Sequence, residues 1–144
     1  MKQFETQSFE ETQKLGFDFA KDFVGGEVIA LHGDLGSGKT TFMQGLAKGL
    51  EIERNIISPT FIIMRSYEIK SKKHPQIKFL YHLDLYRIET EAEAIDLGLQ
   101  DLIADPQNVV AIEWPDKVEN LLPEKRWDIY FEYLKDDKRR IRFA

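Results

Sequence analysis

Nine consecutive residues, Gly33-Asp34-Leu35-Gly36-Ser37-Gly38-Lys39-Thr40-Thr41, match G-x-x-x-x-G-K-[ST] and limit the fold more than any other feature of the chain. The run Val28-Ile29-Ala30-Leu31 ahead of them reads as a buried strand. After them, Thr41 to Leu50 sets Phe42, Met43, Leu46, Ala47 and Leu50 on one helical face. Strand, loop and helix in that order are the setting of a P-loop. Glycines at 33, 36 and 38 would let backbone N–H groups turn inward around phosphate oxygens, and the helix would point its positive end at the same anion. In that reading Lys39 reaches the β- and γ-phosphates of a nucleotide and the Thr40 hydroxyl ligates Mg²⁺.

The rest of the chain sets the frame around this loop. With 144 residues, 42% of them hydrophobic and no Pro/Ser/Gly-rich linker, residues 1–144 read as a single domain with a real core. A net charge of -5 argues against strong direct binding to nucleic acid, which rests on clustered Lys and Arg. Two cationic clusters, Lys70/Lys72/Lys73 and Lys138-Arg139-Arg140 with Arg142, read as solvated strand ends and turns that would at most dock an acidic partner. No apolar run is long enough for a membrane span and no signal peptide opens the chain, so a cytoplasmic protein is expected. Cysteine is absent, which removes disulfide and thiol chemistry.

Before the loop, Ser8 and Glu11 form a capping-box pattern that starts a helix with Thr12, Leu15/Gly16, Phe19/Ala20 and Phe23 facing inward, stopped by Gly25-Gly26. Such a helix covers the sheet; Thr6 and Phe9 are its residues that would reach a nucleotide base. After the loop helix, Pro59 stiffens Ser58-Pro59-Thr60-Phe61 and presents Thr60 where a γ-phosphate and Mg²⁺ sensor sits in P-loop proteins. Phe61 to Tyr67 and Ile77 to Leu83 read as an antiparallel hairpin. The second of these strands runs into His82-Leu83-Asp84, a Walker-B arrangement in which the carboxylate holds Mg²⁺ directly or through water.

Thr90 and Glu93 suggest a capped helix running toward Leu102-Ile103, weakened at Gly98. A second apolar strand, Asn108 to Trp114, again ends in a carboxylate, Glu113. In an open α/β sheet both strand ends reach the crevice of the P-loop. Asp84 is assigned to the metal and Glu113 to the metal shell or the attacking water, an assignment that could be reversed. Trp114 would stack at the nucleotide or simply pack beside Pro115. His82 reads as a structural strand histidine that could also bond near the metal, and Arg65 and Arg87 as surface ion-pair residues. Trp127–Tyr133 and Arg139–Phe143 read as two further strands whose polar faces suit an edge region.

Gly-Asp-Leu-Gly-Ser-Gly-Lys-Thr-Thr (33–41), Ser-Pro-Thr-Phe (58–61), His-Leu-Asp-Leu-Tyr-Arg (82–87) and Ile-Glu-Trp-Pro (112–115), in this order and at these separations, resemble the TsaE (YjeE) family of small bacterial P-loop ATPases. Ser37 stands where alanine is common and leaves the backbone cradle intact. The resemblance implies a P-loop NTPase-like, mixed and mainly parallel sheet flanked by helices, with antiparallel strands at the edge. It implies Mg²⁺-dependent ATP hydrolysis, weak alone and dependent on partners. It also implies a part in making the threonylcarbamoyl modification of tRNA adenosine (t6A) with the proteins TsaD and TsaB, tRNA being touched only through that complex. Carried over by motif, Gly33, Asp34, Leu35, Gly36, Ser37, Gly38, Lys39, Thr40 and Thr41 hold ATP with Trp114 beside them. Thr40, Asp84 and Glu113 serve the metal, while Lys39, Asp84, Glu113 and the switch residue Thr60 serve catalysis. Two other classes share this loop, a small-molecule kinase and a non-catalytic ATP-dependent switch protein.

Overall fold

The computed structural model describes residues 2–59 and 63–144. Thr60, and with it the expected switch position and the start of the expected strand at Phe61, lies outside the described residues. Among the described residues seven strands form one sheet in the order β1-β7-β6-β2-β5-β4-β3: β1 (Lys2–Thr6), β2 (Val28–His32), β3 (Met64–Glu68), β4 (Phe79–Asp84), β5 (Asn108–Glu113), β6 (Trp127–Lys135) and β7 (Lys138–Phe143). The middle strands β6, β2, β5 and β4 are parallel, and β1, β7 and β3 pair antiparallel at the two sides. This is the mixed sheet expected from the sequence.

Among the described residues four α-helices cover it: α1 (Phe9–Ala20), α2 (Lys39–Gly49), α3 (Glu91–Asp96) and α4 (Leu99–Ala104). The central strands are apolar on both faces because both faces are covered. On β2, Ile29 and Leu31 join the core under α1 and α2, while Val28 joins the one under α3 and α4; Val109/Ala111 and Val110/Ile112 divide in the same way on β5. Ser8 caps α1 as the sequence predicts, accepting from the Glu11 N–H at 3.2 Å. The single helix expected from Thr90 is instead two, parted at Gly98 with φ 82°, and Thr90 stands at the N-cap without a side-chain bond.

The joint between α1 and α2 is closer than ordinary helix packing. A Cβ built at Gly45 would stand 1.8 Å from the Gln13 carbonyl oxygen, and one at Gly16 would stand 2.2 Å from that of Phe42. Only hydrogen at both positions lets the two backbones touch, which fixes α1 against the helix that begins at the loop.

One element is missed and one expectation fails. The chain opens with a strand, β1, that the sequence does not announce, since only Phe4 is apolar among Lys2 to Thr6. By pairing with β7 it takes the outer position on that side, so Arg139 is not on a solvated edge. The clusters at Lys70, Lys72 and Lys73 and at Lys138 are exposed as expected, whereas Arg139 is buried.

Candidate functional site

From the end of β2 at His32 the chain turns through the glycine loop into α2. The Ser37 N–H donates to the Asp34 carbonyl at 3.1 Å and tightens the turn, while Leu35 at its tip is 92% exposed. Gly38 occupies the N-cap with φ 108° and no side chain caps the helix. The first amides of α2 therefore have no partner within the helix and face whatever lies before it.

Lys39, the first residue of α2, is buried and curls back over the loop: its Nζ donates to the Gly33 carbonyl, lies 3.5 Å from Glu113 Oε1 and sits 5.1 Å from the centre of the Trp114 ring. Glu113 comes from the end of β5, where it is the Cα partner of Asp84 on β4. Asp84 accepts from the Tyr86 N–H at 3.0 Å. Both acids line the same cleft as Gly36, Gly38, Lys39, Thr40 and Thr41, a space of about 610 Å³. Strand register alone brings the two carboxylates level with the loop, as their positions at the ends of apolar runs suggested.

His82 stands behind Glu113. It is fully buried on β4, and its Nε2 lies 2.7 Å from Glu113 Oε2. Burial pushes the Glu113 carboxyl up, but the hydrogen bond and charge of His82, followed by the charge of Lys39, outweigh that and hold it below its ordinary value. Glu113 is thus gripped on one oxygen by His82 and approached on the other by Lys39. The sequence carries a signal for this role: His82 stands two residues before Asp84 on a buried strand, hence on the same face.

Trp114 adopts φ 58°, a left-handed conformation that costs a bulky residue energy. Its ring packs between Lys39 and Tyr86, 5.2 Å from the latter. It lines the cleft. Ser58 and Tyr86 also line the cleft. Gly33, Asp34 and Ser37 form the back of the loop rather than its open face, and Arg65 and Arg87 do not line it. Thr6, expected near a base, does not line it either: its Oγ1 is buried 2.7 Å from that of Thr12. Phe9 does, and so does Arg139, which the sequence reading placed in solvent.

Among the described residues no three His, Cys, Asp or Glu side chains gather as an all-protein metal site. Thr40, Asp84 and Glu113 are a sparse oxygen set on one cleft, the kind that suits a cation shared between protein and a phosphate ligand. Among the described residues no helix is long and apolar enough to cross a membrane.

A mixed sheet whose central strand leads through a glycine loop into a helix, with the acidic ends of two neighbouring strands facing that loop, defines a protein of P-loop NTPase-like fold. The family model described as "Threonylcarbamoyl adenosine biosynthesis protein TsaE" matches residues 6–141. The chain belongs to the TsaE family. A Bacillus subtilis (strain 168) relative, named tRNA threonylcarbamoyladenosine biosynthesis protein TsaE, is 43% identical over 138 residues, which is 94% of this chain and 80% of the relative. A Treponema pallidum (strain Nichols) relative of the same name is 34% identical over 139 residues, 96% of this chain and 97% of its own. The crystal structure of Bacillus subtilis YdiB superposes with a TM-score of 0.79 at 34% identity, over 99% of this chain and 83% of that one.

Proposed function

We propose that this protein is the Mg²⁺-dependent ATPase component of a tRNA t6A modification machinery, binding ATP at the glycine loop and using its hydrolysis to drive or reset a complex with TsaD and TsaB. The names of its relatives support the pathway. The convergence of Lys39, Thr40, Asp84 and Glu113 on one cleft supports the chemistry and is the observation that carries this reading. It implies a cytoplasmic protein that meets tRNA only through its partners.

In this reading the unpartnered amides at the start of α2 receive the β- and γ-phosphates, and Lys39 leaves Glu113 to neutralise them. A Mg²⁺ ion would supply charge neutralisation across the phosphates, held by the Thr40 hydroxyl and Asp84. Glu113, ionised and oriented by His82, accepts the proton of a water aligned with the γ-phosphate. Trp114 and Tyr86 shield that water from bulk solvent. Thr60 is assigned the sensor role that links the phosphate state to partner binding.

The test is phosphate release from Mg-ATP by the protein alone and with TsaD and TsaB, without any added acceptor. The reading expects slow release that rises with the partners. ADP formed without free phosphate, and only when a small hydroxylated metabolite is supplied to take the phosphoryl group, would make the protein a kinase, and ATP binding with no ADP formed under any condition would make it a switch.

A further inference from the structure

Two segments leave the acidic wall, one after each carboxylate. Beyond Asp84 the chain makes a turn from Leu85 to Ile88, closed by the Ile88 N–H on the Leu85 carbonyl at 3.0 Å. Beyond Glu113 it passes through Trp114 into a short 3₁₀ helix, Pro115–Leu121. One backbone bond follows the strand pairing, from the Leu85 N–H to the Glu113 carbonyl at 3.1 Å. Past that point a side chain joins the two segments, that of Lys117 on the 3₁₀ helix.

Lys117 Nζ donates to the carbonyls of Tyr86 and Ile88, the latter at 2.9 Å, and stands 5.5 Å from the centre of the Tyr86 ring. The residue is exposed, so water alone could serve its ammonium. Holding a four-carbon stem in one geometry costs rotamer freedom, and three contacts converging on one turn give that cost a purpose. The turn matters to the site through Tyr86. Its N–H donates to the Asp84 carboxylate at 3.0 Å, an Asx turn that fixes the rotation of the acid. Its ring leans on Trp114 with 5.2 Å between centres. Tyr86 is thus held at its carbonyl by a cation, the stronger kind of hydrogen bond, while its own amide holds Asp84.

We propose that Lys117 is a positioning residue for the divalent cation: by gripping the Tyr86 and Ile88 carbonyls it fixes the turn whose amide orients Asp84. This inference rests on the proposed role of Asp84 as an acid that serves the metal. It adds a residue from outside the cleft lining, carried on the segment that follows the other acid. Partners behind a metal ligand set how well the ligand is presented, and their loss lowers metal affinity about tenfold or more.

The experiment reads Mn²⁺, standing in for Mg²⁺, by the loss of its free paramagnetic resonance signal on titration into the protein with bound ADP. Metal-free ADP is titrated separately by calorimetry in EDTA. Lys117→Met keeps the length of the stem and removes the donors, and it should weaken Mn²⁺ about tenfold with ADP affinity in EDTA and melting temperature unchanged. Lys117→Gln should behave in the same way. Lys117→Arg, which can still donate to both carbonyls, should hold Mn²⁺ within about twofold of the wild type. In an Asp84→Asn background Lys117→Met should cost nothing further, because the acid it orients is gone. A Lys117→Met protein that holds Mn²⁺ as the wild type does overturns the proposal, and so does one that loses Mn²⁺ and metal-free ADP in equal proportion. A lower melting temperature with Mn²⁺ affinity intact makes Lys117 a latch for the fold and overturns its role at the site. An equal cost in both backgrounds shows that it does not act through Asp84. Asp84→Asn alone holding Mn²⁺ as the wild type does would overturn the metal role of Asp84 first, and the positioning role with it.

Discussion

The two walls of the cleft are built by different means. On one side Asp84 and Glu113 stand level at the ends of two parallel strands, with Glu113 tied to the buried His82 and to Lys39. On the other, Phe9 and Arg139 come from a helix start and an antiparallel strand that meet only because the first strand lies against the last. The first wall is anionic and hydrogen-bonded, the second aromatic and cationic. In a phosphate-transfer site the first suits chemistry and the second suits holding, so substitutions on the two sides should separate turnover from affinity.

The sharpest separation comes from Glu113→Gln, which keeps the volume and removes the proposed base. Single-turnover phosphate release should fall about 100-fold or more, while Mg-ADP affinity measured by calorimetry stays within a few-fold. Equal losses in both would merge the walls into one function. Next in size is Gly45→Ala. The added methyl meets the Gln13 carbonyl at 1.8 Å, so α1 must lift from α2 at a cost of about 3 kcal/mol in denaturant unfolding. Because α1 carries Phe9, which lines the cleft, ADP affinity should drop with it.

Acid titration probes the acidic wall by itself. Glu113 is held below its ordinary 4.5, so its ionised contacts stabilise the fold above that value, and this contribution is lost as pH falls through the depressed folded value. The stability gap between wild type and Glu113→Gln should therefore be widest near neutrality, about 3 kcal/mol, and close as the pH drops below 4.5. A gap that does not change with pH would mean that the charge of Glu113 contributes nothing. The smallest effect belongs to Thr6→Val, which removes one buried hydroxyl pair between β1 and α1. It should cost about 1 kcal/mol and leave phosphate release unchanged.

The same contrast explains what the sequence could disclose. The loop, β2 and the two acidic strand ends are legible because each is written in a few adjacent residues, a glycine pattern or an apolar run ending in a carboxylate. The Ser8 cap is legible for the same reason. β1 escapes notice because its one apolar residue, Phe4, stays exposed and its one buried residue, Thr6, is polar. Arg139 is misread because it sits in a run of cations that looks solvated, and only its pairing with both β1 and β6 takes it out of water. The grip of His82 on Glu113 spans two strands and shows in the sequence only as a histidine on the face of Asp84. Gly16 reads only as part of the inward face of its helix, and the touching of the two helices through Gly16 and Gly45 joins two distant stretches. Features that depend on one stretch were readable; those that depend on two distant stretches were not.

The central claim is that the amides after β2, with Lys39, take the phosphates of a nucleotide. Calorimetric titration of Mg-ADP into the wild type and into Lys39→Ala tests it most directly. The account predicts measurable binding by the wild type and a loss of at least about 100-fold in the variant, with the fold intact by circular dichroism. Undiminished binding in Lys39→Ala would contradict it.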